Sequence, residues 1–204
     1  MIDHQHYIHG FAASSIARWR ELAPWDLVAA SADVVRQLLA ELPPNEYLTS
    51  DEIAAHPTAI VERGAVLKGP LILGPGCFVA AGAYIRGGCW LERDCIIGPG
   101  SELKSSFLFA ESKLAHFNFV GDSILGANVN LEAGSVVCNT RNERTDKEVQ
   151  VRLGSHLHRT GRQKFGALLG DGVCIGANAV LAPGCMLVPA TVVPRASLWD
   201  QEVV

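Results

Sequence analysis

Aliphatic residues recur at every sixth position over most of the chain. A six-residue period fits neither the 3.6-residue stripe of a helix nor the strict alternation of a half-buried strand. It is typical of a solenoid in which short strands alternate with tight corners. The anchors of this period are Val61, Leu67, Leu73, Val79, Ile85, Leu91, Ile97 and Leu103, and later Leu169, Ile175, Leu181, Leu187 and Val193. The pattern predicts an all-β fold, a parallel β-helix.

A second register of small residues supports this prediction. The residue four places after an anchor is usually small, as at Ala65, Cys77, Ala83, Cys89, Cys95, Ser101, Ser135, Ala179, Cys185, Thr191 and Ser197. Small side chains at these positions would let neighbouring corners close over a narrow interior. Four of the six cysteines belong to this register and no C-x-x-C pair exists. We therefore expect reduced, structural thiols in a reducing compartment rather than disulfides.

Two stretches lack the six-residue period. In the N-terminal stretch, Ser31 is a candidate N-cap for a helix with the apolar stripe Val34, Val35, Leu38, Leu39 and Leu42. We expect this helix to cover the open first coil, with partner binding as the alternative role. The second stretch interrupts the coil as a long polar and basic loop, and such loops usually carry function. The predicted divisions are a helical cap at 1–55, a β-helix at 56–195 with a loop insertion at 139–168, and a tail at 196–204.

The composition excludes several classes of protein. The chain has 204 residues, is 49% hydrophobic and carries a formal net charge of −4, which suits a globular core and not a nucleic-acid partner. No apolar run reaches the roughly 18 residues needed to span a bilayer, and the first residues are polar and His-rich, unlike a signal peptide. We expect a cytoplasmic protein without a nucleic-acid or membrane partner.

Several histidines are candidate metal ligands. His4, His6 and His9 form a spaced run that could bind a metal adventitiously, although a flexible terminus explains them better. A histidine pair on one coil would need its second ligand five residues after His116, and this chain has Gly121 there. We therefore predict no metal site.

The middle of the coil resembles a known family. Its motifs are Lys113-Leu-Ala-His116-Phe-Asn-Phe-Val-Gly-Asp122, Gly126-Ala-Asn-Val-Asn130, Ala133-Gly134 and Cys138-Asn139, and in the loop Val149-Gln-Val-Arg152 and Thr160-Gly-Arg-Gln-Lys-Phe-Gly-Ala-Leu-Leu-Gly-Asp171. They resemble the acetyltransferase domain of bifunctional sugar-1-phosphate nucleotidylyltransferase/acetyltransferases, and are closer to the archaeal-type branch than to the bacterial one. The resemblance covers about residues 57–195, and it implies that the coils of this hexapeptide-repeat fold are left-handed.

The resemblance also implies an activity. Such enzymes transfer an acetyl group from acetyl-CoA to the amine of an amino-sugar phosphate such as glucosamine 1-phosphate, and the acceptor here could also be a nucleotide amino sugar. His116 stands where the family has its catalytic histidine, and an imidazole can accept the amine's proton near cellular pH. Asn139 stands where the family's asparagine helps hold the amino group. From the residues alone, His116 could be a structural histidine and Asn139 a corner residue in the left-handed region.

Basic residues supply the implied contacts to phosphate. Arg86 and Lys104 fall at the family's positions for the sugar phosphate, and Lys147 is a weaker match in the loop. Arg162 and Lys164 could meet the phosphates of coenzyme A, for which Ala177 is a further implied contact. All of these cations could instead be solvated surface side chains.

Three positions depart from the family pattern. Phe119 replaces a tyrosine that could bind the sugar phosphate, Ala177 replaces a serine, and Gln150 replaces a lysine. An alternative is therefore a degenerate protein without turnover that binds sugar nucleotide or CoA, or that serves as a scaffold for a separate nucleotidylyltransferase. No Gly-rich nucleotide-binding stretch precedes the coil, so nucleotidyl transfer is not expected from this chain. The resemblance further implies a homotrimer with each site between neighbouring coils.

Overall fold

The computed structural model describes residues 2–203. Its helices lie near the N-terminus, with 3₁₀ turns at His4–His6, Phe11–Ala13 and Ala17–Trp19, then α1 (Pro24–Ala29) and α2 (Ser31–Ala40). The strands within the described residues are β1 (Leu48–Ser50), β2 (Ile53–Ala55), β3 (Ile60–Val61), β4 (Val66–Leu67), β5 (Leu71–Leu73), β6 (Phe78–Val79), β7 (Tyr84–Arg86), β8 (Cys89–Leu91), β9 (Ile96–Ile97), β10 (Glu102–Lys104), β11 (Phe107–Leu108), β12 (Lys113–Leu114), β13 (Phe119–Gly121), β14 (Ile124–Leu125), β15 (Asn130–Leu131), β16 (Val136–Val137), β17 (Gln150–Leu153), β18 (His156–Arg159), β19 (Ala167–Leu169), β20 (Cys174–Ile175), β21 (Val180–Leu181), β22 (Cys185–Leu187), β23 (Val192–Val193) and β24 (Leu198–Trp199).

The strands stack into three sheets that form the sides of one coil. The first sheet has the order β1-β2-β5-β8-β11-β14-β19-β22, the second β3-β6-β9-β12-β15-β20-β23, and the third β4-β7-β10-β13-β16-β21-β24. Pairing is parallel from β2 and β5 through β21 and β24, whereas β1 pairs antiparallel with β2 and β17 with β18. The described residues confirm the predicted all-β parallel β-helix with a short N-terminal helical segment and one long inserted loop. The arrangement is consistent with the left-handed coil that the resemblance implies.

The interior of the coil follows the two predicted registers. Anchors such as Ile85, Leu103 and Leu169 are completely buried in one continuous cluster. Cysteines on the small register are buried in the same cluster. Burial raises the pKa of Cys89 and of Cys185 to about 12, so both thiols stay protonated at neutral pH and act as small apolar side chains.

The N-terminal segment packs along the side of the coil. Val34 and Leu38 of α2 belong to a second buried cluster that includes Ile72 and Trp90 on the outer face of the first sheet. The prediction that α2 covers the open first coil is therefore wrong. The helix packs on the apolar outer residues of the first sheet, because these would otherwise be exposed to water. Strand β1 lies at the N-terminal edge of the first sheet instead. Ser31 begins α2 and donates its hydroxyl to the Gly87 carbonyl at 3.2 Å, so it does not cap the helix.

Two of the N-terminal histidines are structural. His4 is buried and stacks on Phe11 with ring centroids 4.4 Å apart, and its Nε2 lies 2.8 Å from the Leu22 carbonyl oxygen. Burial lowers the pKa of His4. His9 Nδ1 lies 2.9 Å from Asp171 Oδ2, which joins the segment to a corner of the coil. The expectation of a flexible terminus is wrong for His4 and His9, because both make contacts that fix their positions.

The inserted loop is joined to the C-terminal segment by buried charges. The Arg141 side chain is 4% exposed and pairs with Asp200 at 2.7 Å and with Glu202 at 2.6 Å. Arg144 also pairs with Glu202, at 2.7 Å. Part of the loop's positive charge is therefore neutralised within the chain.

Candidate active site

The cations predicted to bind the sugar phosphate lie on the outer face of the third sheet. Arg86 ends β7 and Lys104 ends β10, next to the inward-facing anchors Ile85 and Leu103. The two strands are neighbours in register, so Arg86 lies beside Lys104. Arg86 donates from Nε and Nη2 to Glu102 Oε1, at 2.9 and 2.6 Å. The fold thus brings the two cations together and gives the first of them a carboxylate partner.

A second carboxylate organises Lys104. Lys104 Nζ lies 2.8 Å from both carboxylate oxygens of Asp122, and Asn139 Nδ2 donates to Asp122 Oδ2 at 2.5 Å. The side chains of Lys104 and Asp122 are only 15% and 8% exposed, so bulk water screens this pair weakly. Asp122 therefore joins two of the predicted site residues, and we call these three side chains the Asp122 cluster.

Gly121 leaves the space that Asn139 occupies. Gly121 of β13 is the partner of Lys104 of β10 in the third sheet. A Cβ at Gly121 would lie 2.7 Å from Asn139 Nδ2 and 2.9 Å from Phe119 Cζ. The Asn139 carbonyl accepts a hydrogen bond from the Phe165 N–H at 3.0 Å, which fixes the beginning of the inserted loop. Phe119 is half-buried on this outer face and gives an apolar surface beside the cluster.

His116 lies at the corner between the second and third sheets. It is exposed, as is Phe117 beside it, and its backbone carbonyl accepts a hydrogen bond from the Gly134 N–H at 2.9 Å. No hydrogen bond to its imidazole is found among the residues that the structure describes. Strand β13 joins this corner to Asp122, and three residues of strand span roughly 10 Å. The predicted base and the Asp122 cluster therefore lie at opposite ends of one strand.

Ala177 belongs to the same corner column as His116. Backbone hydrogen bonds stack the corners that hold His116, Ala133 and Ala177, so Ala177 lies two coils beyond His116. The Ala177 N–H donates to Glu132 Oε2 at 2.8 Å, and Arg195 donates twice to the same carboxylate at 2.7 and 2.6 Å. The hydrogen bonds from Arg195 and Ala177 lower the pKa of Glu132. The backbone amide of Ala177, the predicted cofactor contact, therefore already donates a hydrogen bond to the Glu132 carboxylate.

The other predicted cofactor residues lie elsewhere. Arg162 pairs with Asp26 of α1, at 2.9 Å from Nε and 2.8 Å from Nη2. Lys164 is exposed and lines a cleft together with Lys104. Lys147 is exposed in the loop and is not among the residues that line this cleft. The fold therefore groups Arg162 and Lys164 with the Asp122 cluster rather than with the corner column of Ala177.

Sequence reasoning missed the carboxylates that hold these cations. Glu102 could have been found, because residues two apart on a strand share a face and Lys104 follows it at that spacing. Asp122 was visible inside the family motif without a reason to select it. Asp26 gave no signal, because it meets Arg162 from 136 residues away in the chain.

The described residues give neither a metal-ligand group nor a membrane-spanning helix. Within residues 2–203, no group of three or more His, Cys, Asp or Glu side chains could hold a metal ion. Of the helices described here, none has the length and apolar character needed to cross a membrane. The longest of them, α2, has ten residues.

Comparison with known proteins gives matches to one family of transferases. A family profile described as bacterial transferase hexapeptide (six repeats) matches residues 70–105. The bifunctional protein GlmU of Methanococcus vannielii is 28% identical over 192 residues, which are 91% of this chain and 45% of that protein. A bifunctional sugar-1-phosphate nucleotidylyltransferase/acetyltransferase of Sulfurisphaera tokodaii is 30% identical over 158 residues, 69% of this chain and 39% of that one.

A solved structure gives a more distant likeness. The acetyltransferase domain of PglB from Neisseria gonorrhoeae, in complex with acetyl coenzyme A, is 12% identical, with 89% of this chain and 71% of that chain covered and a TM-score of 0.35. The present chain spans less than half the length of the two curated relatives. The chain therefore has a segment of hexapeptide repeats like those of bacterial transferases, and it is related to the bifunctional sugar-1-phosphate nucleotidylyltransferase/acetyltransferases.

Proposed function

We propose that this chain is an acetyl-CoA-dependent N-acyltransferase that acetylates an amino-sugar phosphate or a nucleotide amino sugar, with His116 as general base. One observation carries the proposal. An exposed histidine lies at the corner before β13, and the Asp122 cluster lies at the far end of that strand. A sugar lying across this face could reach His116 with its amine while its phosphate lies near Arg86 and Lys104.

The chemistry requires one proton carrier at the amine. As the neutral amine nitrogen attacks the thioester carbonyl carbon, His116 takes a proton from that nitrogen and a C–N bond forms. The carbonyl electrons move to oxygen, where a backbone N–H can stabilise the negative charge. When the C–S bond breaks, the imidazolium returns its proton to sulfur and coenzyme A leaves as the thiol. We assign Asn139, whose amide donates to Asp122, to orienting the amino sugar.

A homotrimer is part of this proposal. Within residues 2–203 the N-terminal segment packs on the first sheet, and apolar residues on the other two sheets are exposed, among them Ile60 and Val192 on the second and Val66 and Leu198 on the third. Packing of three coils would bury such residues. It would also add a second wall beside His116, which a single chain leaves open to solvent.

The test is release of thiol from acetyl-CoA with a panel of amino-sugar 1-phosphates and UDP- or dTDP-linked amino sugars. We expect turnover on one acceptor, with a loss of roughly 100-fold or more in His116→Ala because general-base catalysis is removed. His156→Ala is the matched control, since His156 is an exposed histidine of the inserted loop. Its turnover should equal that of the unmodified chain.

Two results would contradict the proposal. Equal turnover in His116→Ala would remove the assigned base. Silence across the panel from a protein that native mass spectrometry shows to be a trimer would favour the alternative, a binding or scaffold subunit for a separate nucleotidylyltransferase. The cytoplasmic location and the domain boundaries expected from the sequence stay predictions.

A further inference from the structure

A cleft separates the N-terminal helices from the inserted loop. Its volume is about 450 Å³, within the range of small-molecule sites. Its walls come from the end of α1, the start of α2 and the end of the loop, and its floor comes from three successive corners of the coil, at Gly87, Ser105 and Asp122. Its lining includes Lys104, Asp122, Arg162, Gln163 and Lys164.

The cleft depends on a close approach of α2 to the coil. Gly88 has a φ of +89°, and a Cβ there would lie 2.5 Å from the Ala32 Cα, so only glycine lets the helix start at this place. On the other side, Trp25 of α1 packs edge-on against Phe165 of the loop, with ring centroids 5.9 Å apart. The N-terminal segment and the loop are thus fixed to each other.

Three cations face two carboxylates around this cleft. Lys104 is paired with Asp122 and Arg162 with Asp26. Lys164 has no ion pair with any residue between 2 and 203. One positive charge is therefore left over at the rim, and Arg162 can turn from Asp26 toward a stronger anion because its side chain is 48% exposed.

We propose that this cleft binds the diphosphate group of a nucleotide-linked amino sugar, with Lys164 and Arg162 as its phosphate ligands. The inference rests on the proposed function and narrows it to the nucleotide-sugar class of acceptor. A sugar 1-phosphate has a single phosphate for Arg86 and Lys104, whereas a diphosphate-linked acceptor extends past Lys104 into the adjoining cleft. The apolar wall of Val28, Ala29 and Ala32 leaves room for the rest of the nucleotide.

The diphosphate of coenzyme A has the same chemistry, so position decides between the two. The cleft shares Lys104 and Asp122 with the acceptor face. The corner column of His116 and Ala177 lies at the other end of the third-sheet strands. Arg162 and Lys164 are therefore on the acceptor's side of the site.

Isothermal titration calorimetry of the full chain with inorganic pyrophosphate tests the cleft. We expect Lys164→Ala to weaken binding about tenfold, since a charge-assisted contact is lost. Gln163→Glu adds a negative charge at the same rim with little change of shape and should weaken binding similarly. Arg63→Ala removes the same charge from an exposed corner of the first coil outside the cleft and should leave the affinity unchanged. Equal affinity in Lys164→Ala and Arg63→Ala would overturn the proposal.

Competition then separates the two sources of diphosphate. UDP should displace pyrophosphate from the unmodified chain, and coenzyme A at the same concentration should not. Displacement by coenzyme A would overturn the assignment to the acceptor. If pyrophosphate binding depends on Lys164 but the chain has no acetyl transfer, the proposed function is refuted and the proposal that the cleft binds diphosphate stands. Acetyl transfer without such binding would refute the cleft alone.

Discussion

The first and third sheets belong to the same coil but meet different surroundings. In β5, β8 and β19 of the first sheet every residue is buried, because the inner side chains fill the coil and the outer ones lie under the N-terminal segment. In β7 and β10 of the third sheet only the central anchor is buried, and the residues on either side stay half-exposed.

This difference separates residues that hold the fold from residues that can meet a ligand. The outer face of the first sheet has Trp90 and Phe107, which are 5% and 0% exposed. The outer face of the third sheet has Arg86 and Lys104, whose charges are tolerated because water or a partner carboxylate is within reach. The covered sheet supplies stability, and the open sheet supplies the site.

Two phenylalanine variants give the largest expected difference. Phe107→Ala should lower the free energy of unfolding by about 3–5 kcal/mol, because it leaves a cavity between the first sheet and the N-terminal segment. Phe119→Ala, on the open third sheet, should cost about 1 kcal/mol or less, since a half-buried ring loses less burial. Urea unfolding of both variants checks this. Equal losses would mean that the N-terminal segment does not cover the first sheet as described.

The two ion pairs of the open face give a smaller difference. Asp122→Asn should lower stability by about 2 kcal/mol, because Lys104 keeps its charge in a place that water screens poorly. Glu102→Gln should cost about 1 kcal/mol or less, since the Arg86 and Glu102 side chains are 36% and 31% exposed. Both substitutions keep the size of the side chain. Thermal unfolding in low salt measures the contrast, and equal costs would refute the distinction between the pairs.

The sequence predicts the repeating interior of the coil better than it predicts the packing of the N-terminal segment on the first sheet. Each anchor, such as Ile85 or Leu103, packs on its equivalents in the coils above and below, so the interior repeats and the period reveals it. The apolar stripe of α2 showed only that the helix packs on something. Nothing local identified the first sheet as its partner, because Trp90 and Phe107 look like ordinary strand residues.

The site was predictable only where a motif fixed its spacing. The resemblance predicted His116, Lys104 and Asn139 as site residues. In the structure, Lys104 and Asn139 both donate hydrogen bonds to Asp122. The partners Asp26 and Asp200 lie in segments without a period. Their pairing with loop arginines depends on how the loop folds back, which pattern analysis along the chain does not reveal.

The charges outside the coil give the smallest expected effect. The hydrogen bond from Arg141 lowers the pKa of Asp200. A carboxyl with a lowered folded pKa stabilises the fold above its unfolded pKa, near 3.9, and loses this contribution as the pH falls through the folded value. Asp200→Asn should therefore cost on the order of 1 kcal/mol at pH 7 and progressively less as the pH falls from about 5 to 2. Urea midpoints across this pH range measure the effect, and a cost of Asp200→Asn that does not shrink in acid would show that the Arg141 pair is not its source.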